Sequence, residues 1–250
     1  MHRSNFGTVL QLGAVFQSWQ DGGMASQTRQ SQRRRQVLSR ERIVEAAIEL
    51  LDTTGESALT VRMLTERLST GSGAIYHHVG TMNDLLEAAS DTVIANALAV
   101  PPAADTPEDE IRAVALALFD AATEHPWLAA QLAAQITRNP WGSVTLRIFE
   151  SFGRPMRALG VPQPDWFTTT STLVHYFIGA TTQGPHDGGK PERAEFLDTA
   201  FEAWQNLDPD DYPFITTIAA QMRDHDDRRQ FLTGIDLVLK GIVARVDHAA

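Results

Sequence analysis

Apolar residues along the first hundred positions fall at helical rather than alternating spacing, in short bursts separated by caps and glycines. Ile43, Ala47, Leu50 and Leu51 share a face that begins after Ser39, a capping residue, and Gly55 supplies the stop. Thr60 caps a second, short helix on which Val61, Leu64 and Leu68 line up. Ser69, Thr70 and Gly71 break the chain before a third helix, residues 72–79, with Ala74, Ile75 and Val79 available for burial. Thr81 followed by Asp84 makes a start like a capping box for a fourth helix that carries Leu85, Leu86 and Ala89. Beyond the proline-rich residues 101–107, helices are predicted over residues 108–124, 126–137, 143–159, 165–183, 193–206, 211–223 and 227–246.

Two of those segments invite closer reading. Residues 166–182 (WFTTTSTLVHYFIGATT) are rich in threonine, valine and aromatic residues that favour strands, yet about 17 residues is long for a strand and ordinary for a helix. Pro155 interrupts the pattern of residues 143–159 and is expected to kink or end that helix after Phe152, opening a cavity beside Phe149.

The second and third helices are joined by a tight break, and the third is too small to stand alone. That is a helix-turn-helix arrangement, whose second helix enters the major groove of DNA. With Leu64, Leu68, Ile75 and Val79 facing inward, Arg62, Ser72, Gly73, Tyr76, His77 and His78 are left facing out. Gly73 removes a side chain and lets the backbone approach a duplex; Tyr76 and the histidines can donate to phosphates, and Arg62 can reach a guanine edge or a phosphate. Adjacent residues on a helix point about 100° apart, so His77 and His78 are poorly placed to chelate one metal ion.

LTVRMLTERLSTGSGAIYHHVGTMNDLL, residues 59–86, resembles the DNA-binding domain of TetR-type transcriptional repressors, and IVEAAIELLDTTG, residues 43–55, resembles that family's first helix. Cap Thr60, Arg62, the Tyr76-x-His78 pattern and Leu85-Leu86 are all in register. The resemblance implies a homodimer whose two heads bind a palindromic operator in double-stranded DNA, with a larger helical ligand domain behind each head. Thr81 joins the DNA-contacting set. Three departures matter: Ser69 and Thr70 stand where the family has a glycine and a small apolar residue, and Met82 stands where it has a lysine. A serine at positive φ costs about 1 kcal/mol, so Gly71 is expected to take that conformation instead. HPWLAAQLAAQ, residues 125–135, and FLTGIDLVLKGIVARV, residues 231–246, resemble the C-terminal regulatory domain of the tetracycline-repressor branch.

Charge sharpens this picture. The formal net charge is −10, but residues 1–38 carry a balance of +4 and residues 39–100 one of −5. Residues 1–38 lack any sustained period and read as a disordered basic arm, in which Arg33, Arg34 and Arg35 can lie along DNA and make up for the missing lysine. Met24 offers a second possible start, which leaves residues 1–23 without a role. The acids Glu45, Glu49 and Asp52 of the first helix are expected to face away from DNA.

The chain therefore divides into a basic arm (1–38), a DNA-binding head with its connecting helix (39–100) and an all-helical regulatory and dimerisation domain (101–250). Residues 231–246 are apolar on two sides and carry Gly234 and Gly241 seven apart; with residues 166–182 they are the candidate for a four-helix dimer interface. A ligand pocket between the helices of that domain draws on Trp127, Trp141, Phe149, Phe152, His175, Tyr176 and Gln183. GPHDGG, residues 184–189, reads as an exposed loop whose His186 is a weaker candidate.

No cysteine is present, which excludes disulfides and thiolate chemistry, and no phosphate loop, nucleophile elbow or metal motif appears. No run is apolar enough for a membrane span, and a cytoplasmic protein without cofactor or catalytic residues is expected. The leading reading is a repressor released by a small organic effector. The rival is a small-molecule binding or protein-interaction module with a weakened DNA-binding head.

Overall fold

Side-chain caps mark where the first helices begin, as their spacing requires. The computed structural model describes residues 38–56, 59–99, 104–183, 190–223 and 225–249. The basic arm, apart from Leu38, and the loop at residues 184–189 with His186 lie outside the described residues. Helix α1 (Arg40–Thr54) starts where the Ser39 hydroxyl accepts the Arg42 amide at 3.3 Å and stops at Gly55, with φ of 73°. Helix α2 (Val61–Leu68) starts where Thr60 accepts the Met63 amide, also at 3.3 Å. After α3 (Ser72–Val79), helix α4 (Met82–Ala97) opens with a reciprocal box: Thr81 Oγ1 accepts the Asp84 amide at 3.1 Å, and Asp84 accepts the Thr81 amide at 2.9 Å. Each cap satisfies amides that have no partner inside the helix.

The turn between α2 and α3 departs from expectation. Ser69, not Gly71, takes the left-handed conformation, with φ of 51° and ψ of 49°, while Gly71 is extended at φ −89° and ψ 153°. The reason lies in how α2 closes. The Ser69 and Thr70 amides bond back to the carbonyls of Glu66 and Thr65 at 3.4 and 3.1 Å, a closure that demands a left-handed residue directly after the helix. Gly71 stands too late in the turn to fill that place and instead leads α3 in.

Seven further helices complete the described chain: α5 (Pro107–Glu124), α6 (Leu128–Arg138), α7 (Ser143–Ala158), α8 (Trp166–Thr182), α9 (Lys190–Gln205), α10 (Pro213–Arg223) and α11 (Asp227–Ala249). All regular structure among the described residues is helical. Ile43, Leu64, Ile75 and Leu85 have no exposed surface and bind α1 to α4 together. On the other side of the molecule α8 packs against α5, α6, α7 and α11, with Leu173, Val174 and Phe177 fully buried. Helices α9 and α10 pack on each other.

The threonine-rich α8 holds as a helix in part because four of its threonine hydroxyls satisfy themselves locally, although Ser171 Oγ is buried without a partner. Thr169, Thr172, Thr181 and Thr182 donate to the carbonyls four residues back at 2.8 to 2.9 Å, so these residues give up little by leaving a strand. Pro155, expected to kink or end α7 after Phe152, does not end it: the helix runs on to Ala158. Pro155 is buried, and its neighbours Phe152 and Met156 have no exposed surface, so packing holds the helix across the missing amide.

Replacing Ser69 with glycine is expected to stabilise the fold by about 0.5 kcal/mol, because it removes the left-handed penalty, whereas Ser69→Val should cost about 1 kcal/mol or more. Urea midpoints of the two variants check this.

Candidate functional site

The outer face of α3 is built by what lies beneath it. Buried Ile75 and Val79 hold the helix down, and this leaves Ser72, Gly73, Tyr76 and His77 exposed and His78 half-buried. Tyr76 is 45% exposed, unusual for a large aromatic residue without a partner surface. Nothing lies within 4 Å of a side chain built onto Gly73, so the backbone of α3 is open to an incoming surface. The His77 and His78 rings stand 5.6 Å apart at 74°, edge to face, rather than converging on one point. Among the described residues no three His, Asp or Glu side chains gather in a way that could hold a metal ion.

Arg62 projects from α2 beside this face and is held by Glu66, one turn along, at 2.9 Å. That hydrogen bond raises the guanidinium above its ordinary value. Thr60 and Thr81 stand at the starts of α2 and α4 with their oxygens engaged as caps. Met82 is half-buried against the core. Of the acids on α1, Glu49 is paired with Arg67 of α2, and Asp52 is engaged elsewhere, as described below. Glu41 stands near His78; its carboxyl is held below its ordinary value chiefly by its own amide and by Ser39, with His78 contributing. Arg33, Arg34 and Arg35 lie outside the described residues.

A cleft of about 1130 Å³ opens between α5, α8, α9, α10 and α11. Its aromatic wall is a stack in which Phe231 lies between Phe119, at 4.6 Å, and Tyr176, at 5.7 Å. Burial pushes the Tyr176 phenol above its ordinary value, and its hydroxyl donates to the Phe231 carbonyl at 3.1 Å. The other wall is charged. Arg193 donates to Asp227 at 2.6 Å, His225 stands 2.8 Å from the same carboxylate oxygen, and Arg228 pairs with Asp120 at 3.2 Å. Arg193 Nε is buried without an acceptor.

His175, Tyr176 and Gln183 line this cleft, as their sequence positions suggested. Four other expected residues do not line it. Phe152 is wholly buried in the core, Trp127 is 6% exposed with its indole nitrogen bonded to Asp52, and Trp141 is 76% exposed. Phe149 stacks on Phe167 at 6.2 Å. Phe149 does not line the cleft, so the space expected beside it is not this one. Sequence reasoning missed Arg193, Phe196, Trp204 and the charged run His225 to Arg229. That run, HDDRR, is five consecutive charged or titratable residues across the start of the last helix, and its density of charge was the available signal.

Polar contacts join the two regions. Ser90 of α4 has no exposed surface and accepts from Gln135 of α6 at 3.0 Å; Glu87 accepts from Asn139 at 2.7 Å, and Asp91 from Arg147 of α7 at 3.2 Å. Asp52 of α1 accepts from Trp127 Nε1 at 2.7 Å and lies 2.7 Å from His125 Nδ1.

The profile of bacterial regulatory proteins of the tetR family matches residues 43–89, and that of the tetracyclin repressor-like C-terminal domain matches residues 101–246. The chain belongs to the TetR family. It is thus a DNA-binding transcriptional regulator of that family and not an enzyme. The structure of the TetR regulator SCO7222 from Streptomyces coelicolor is 57% identical in sequence, with a TM-score of 0.75, over 83% of this chain and 99% of that one. A transcriptional regulator of the helix-turn-helix type from Saccharopolyspora erythraea is 31% identical over 60% of this chain; the match spans 62% of that protein's length. The class D tetracycline repressor from Escherichia coli is 26% identical over 82% of this chain and 88% of the repressor. Among the described residues of this TetR protein no helix is long and apolar enough to cross a membrane.

Within the TetR protein the two glycines of α11 differ. A side chain on Gly234 would meet the Tyr176 hydroxyl at 1.9 Å, so the close approach expected there is made by α8 of the same chain; Gly241 has nothing within 4 Å. Gly234→Ala is therefore expected to cost about 1–3 kcal/mol by displacing Tyr176, while Gly241→Ala leaves the fold intact. Thermal unfolding of both variants tests this contrast.

Proposed function

We propose that the protein is a homodimeric repressor that grips a palindromic operator with two heads and releases it when a small organic molecule fills the cleft. The observation that carries this reading is the polar joint described above: α4 of the head is held against α6 and α7, which pack in turn on α5 and α8, two walls of the aromatic cleft. A ligand releases DNA only if it favours a spacing of the heads that the operator rejects, and such a joint can convert one change into the other. The match to proteins named tetracycline repressors supports repression as the direction of control. In this reading residues 39–100 form the DNA-binding unit and 101–250 the regulatory and dimerisation unit, and the protein works in the cytoplasm, where DNA is.

On each operator half-site Tyr76 and His78 reach phosphates, Gly73 lets α3 settle into the major groove, and Ser72, His77, Thr60 and Thr81 complete the contact surface. Arg62 leaves Glu66 for a guanine edge or phosphate, and Arg33, Arg34 and Arg35 add contacts that Met82 does not make. The dimer forms through α8 and α11. Leu237 of α11 is 65% exposed and Gly241 is open on the same helix, while Thr168, Thr172 and His175 of α8 are exposed. The cleft takes an organic molecule with aromatic surface and hydrogen-bonding groups, held by Tyr176, His175 and Gln183.

Mobility shift with DNA flanking the protein's own gene, run at several salt concentrations, tests the core of this. Tyr76→Ala should weaken binding by about 1–3 kcal/mol, and removal of residues 1–36 should reduce the slope of affinity against salt. A wild-type chain that holds no such DNA at any salt is instead a small-molecule binding or protein-interaction module. Sedimentation at micromolar concentration tests the dimer: Leu237→Glu is expected to shift a dimer toward monomer without loss of helix content.

A further inference from the structure

The segment His125-Pro126-Trp127 faces both ways. Pro126 lines the cleft, while the residues on either side of it both reach the head. Trp127 Nε1 and His125 Nδ1 each stand 2.7 Å from the same atom, Asp52 Oδ1, on the last turn of α1. We propose that Asp52 is a positioning residue through which the state of the cleft reaches the head directly by α1, in addition to α4. This rests on the cleft being the effector site.

The geometry favours transmission over absorption. The turn from α5 to α6 is short and tied at both ends: the His125 amide donates to the Ala121 carbonyl at 2.9 Å, and the His125 carbonyl accepts the Leu128 amide at 2.8 Å. Pro126 fixes its own φ, which removes the softest joint from the segment. Trp127 is 6% exposed, and Leu128 has no exposed surface, so the indole cannot swing without moving its packing. A carboxylate only accepts hydrogen bonds, so His125 must carry its proton on Nδ1 to hold Asp52. Both donors converge on one oxygen. A shift of Pro126 therefore moves both at once, and Asp52 either follows, carrying α1 with it, or loses both bonds together. Leu51, next to Asp52, is part of the head core, so such a shift enters the packing beneath α2 and α3.

The absence of native cysteine allows a chemically defined occupant to be placed in the cleft of the full-length protein. Ala180→Cys, on the cleft wall, is modified with benzyl methanethiosulfonate and compared with the methyl reagent. Three readouts are taken: the indole N–H resonance of Trp127, assigned with Trp127→Phe, amide exchange over the last turn of α1, and affinity for DNA flanking the protein's own gene. The benzyl adduct is expected to shift the Trp127 indole resonance, raise exchange in the last turn of α1 and change DNA affinity by the 5- to 150-fold that is roughly typical of coupled sites. In the Asp52→Ala background, where the route through α4 remains, the same adduct should change affinity by a several-fold smaller factor than in the wild type. Trp127→Phe, which keeps the ring and loses the donor, should behave alike if Asp52→Ala proves unstable. An adduct that changes DNA affinity while the Trp127 resonance and α1 exchange stay as they were, or that acts undiminished in both variants, overturns the role of Asp52 and leaves the cleft as effector site. An adduct that changes nothing overturns both.

Discussion

Helix α4 buries one face from Leu85 to Ile94 because it packs into the head and the bundle behind it at once. Leu85 and Ala89 complete the packing of the head, while Val93 and Ile94 lie in the bundle behind it, and between them Ser90 sits without exposed surface, its hydroxyl donating to Leu86 and accepting from Gln135. The hydroxyl keeps its bond to Leu86 at any seating, but Gln135 finds it as acceptor at only one depth and rotation of α4 against α6, a bond that contributes about 0.5–1.5 kcal/mol. The placement of α3, the exposure of Tyr76 and the reach of Asp52 to the turn after α5 all follow from that seating. The joint between the two regions is made of side chains in contact: Ser90 with Gln135, Glu87 with Asn139, Asp91 with Arg147 and Asp52 with Trp127.

Charge bears on how such a head meets DNA. Residues 39–100 carry a balance of −5, which reads as unsuited to a polyanion. Glu49 meets Arg67, Asp52 meets His125 and Trp127, Asp84 caps α4, and Glu87 and Asp91 meet Asn139 and Arg147. Those acids are spent on structure, several of them on the joint itself. Glu66 differs, because it stands on the outer side and occupies Arg62, which gives the head an internal competitor for any phosphate.

The helices of the head were legible in the sequence nearly residue by residue, because caps at Ser39, Thr60 and Thr81 and stops such as Gly55 are local chemistry. The left-handed turn was misplaced at Gly71 because closure geometry, not residue preference, selects the position, and the preference it overrides is only about 1 kcal/mol at Ser69. The helix end expected at Pro155 did not occur for a related reason: a local rule for proline yields where Phe152 and Met156 around it are buried. The cleft was least legible. Aromatic residues mark core and pocket alike, so Phe152 and Phe149 were indistinguishable in sequence from Tyr176, and the charged wall draws Arg193 from α9 together with His225 and Asp227, more than thirty positions along.

The hydroxyls of α8, folded back onto their own backbone, have one more effect. A threonine so arranged shows its surroundings a methyl group, and Thr172 does so on the exposed side of the helix. At Thr172 the segment is thus written in a polar letter whose hydroxyl is already bonded to its own backbone, so that position meets its surroundings with less polarity than its name implies.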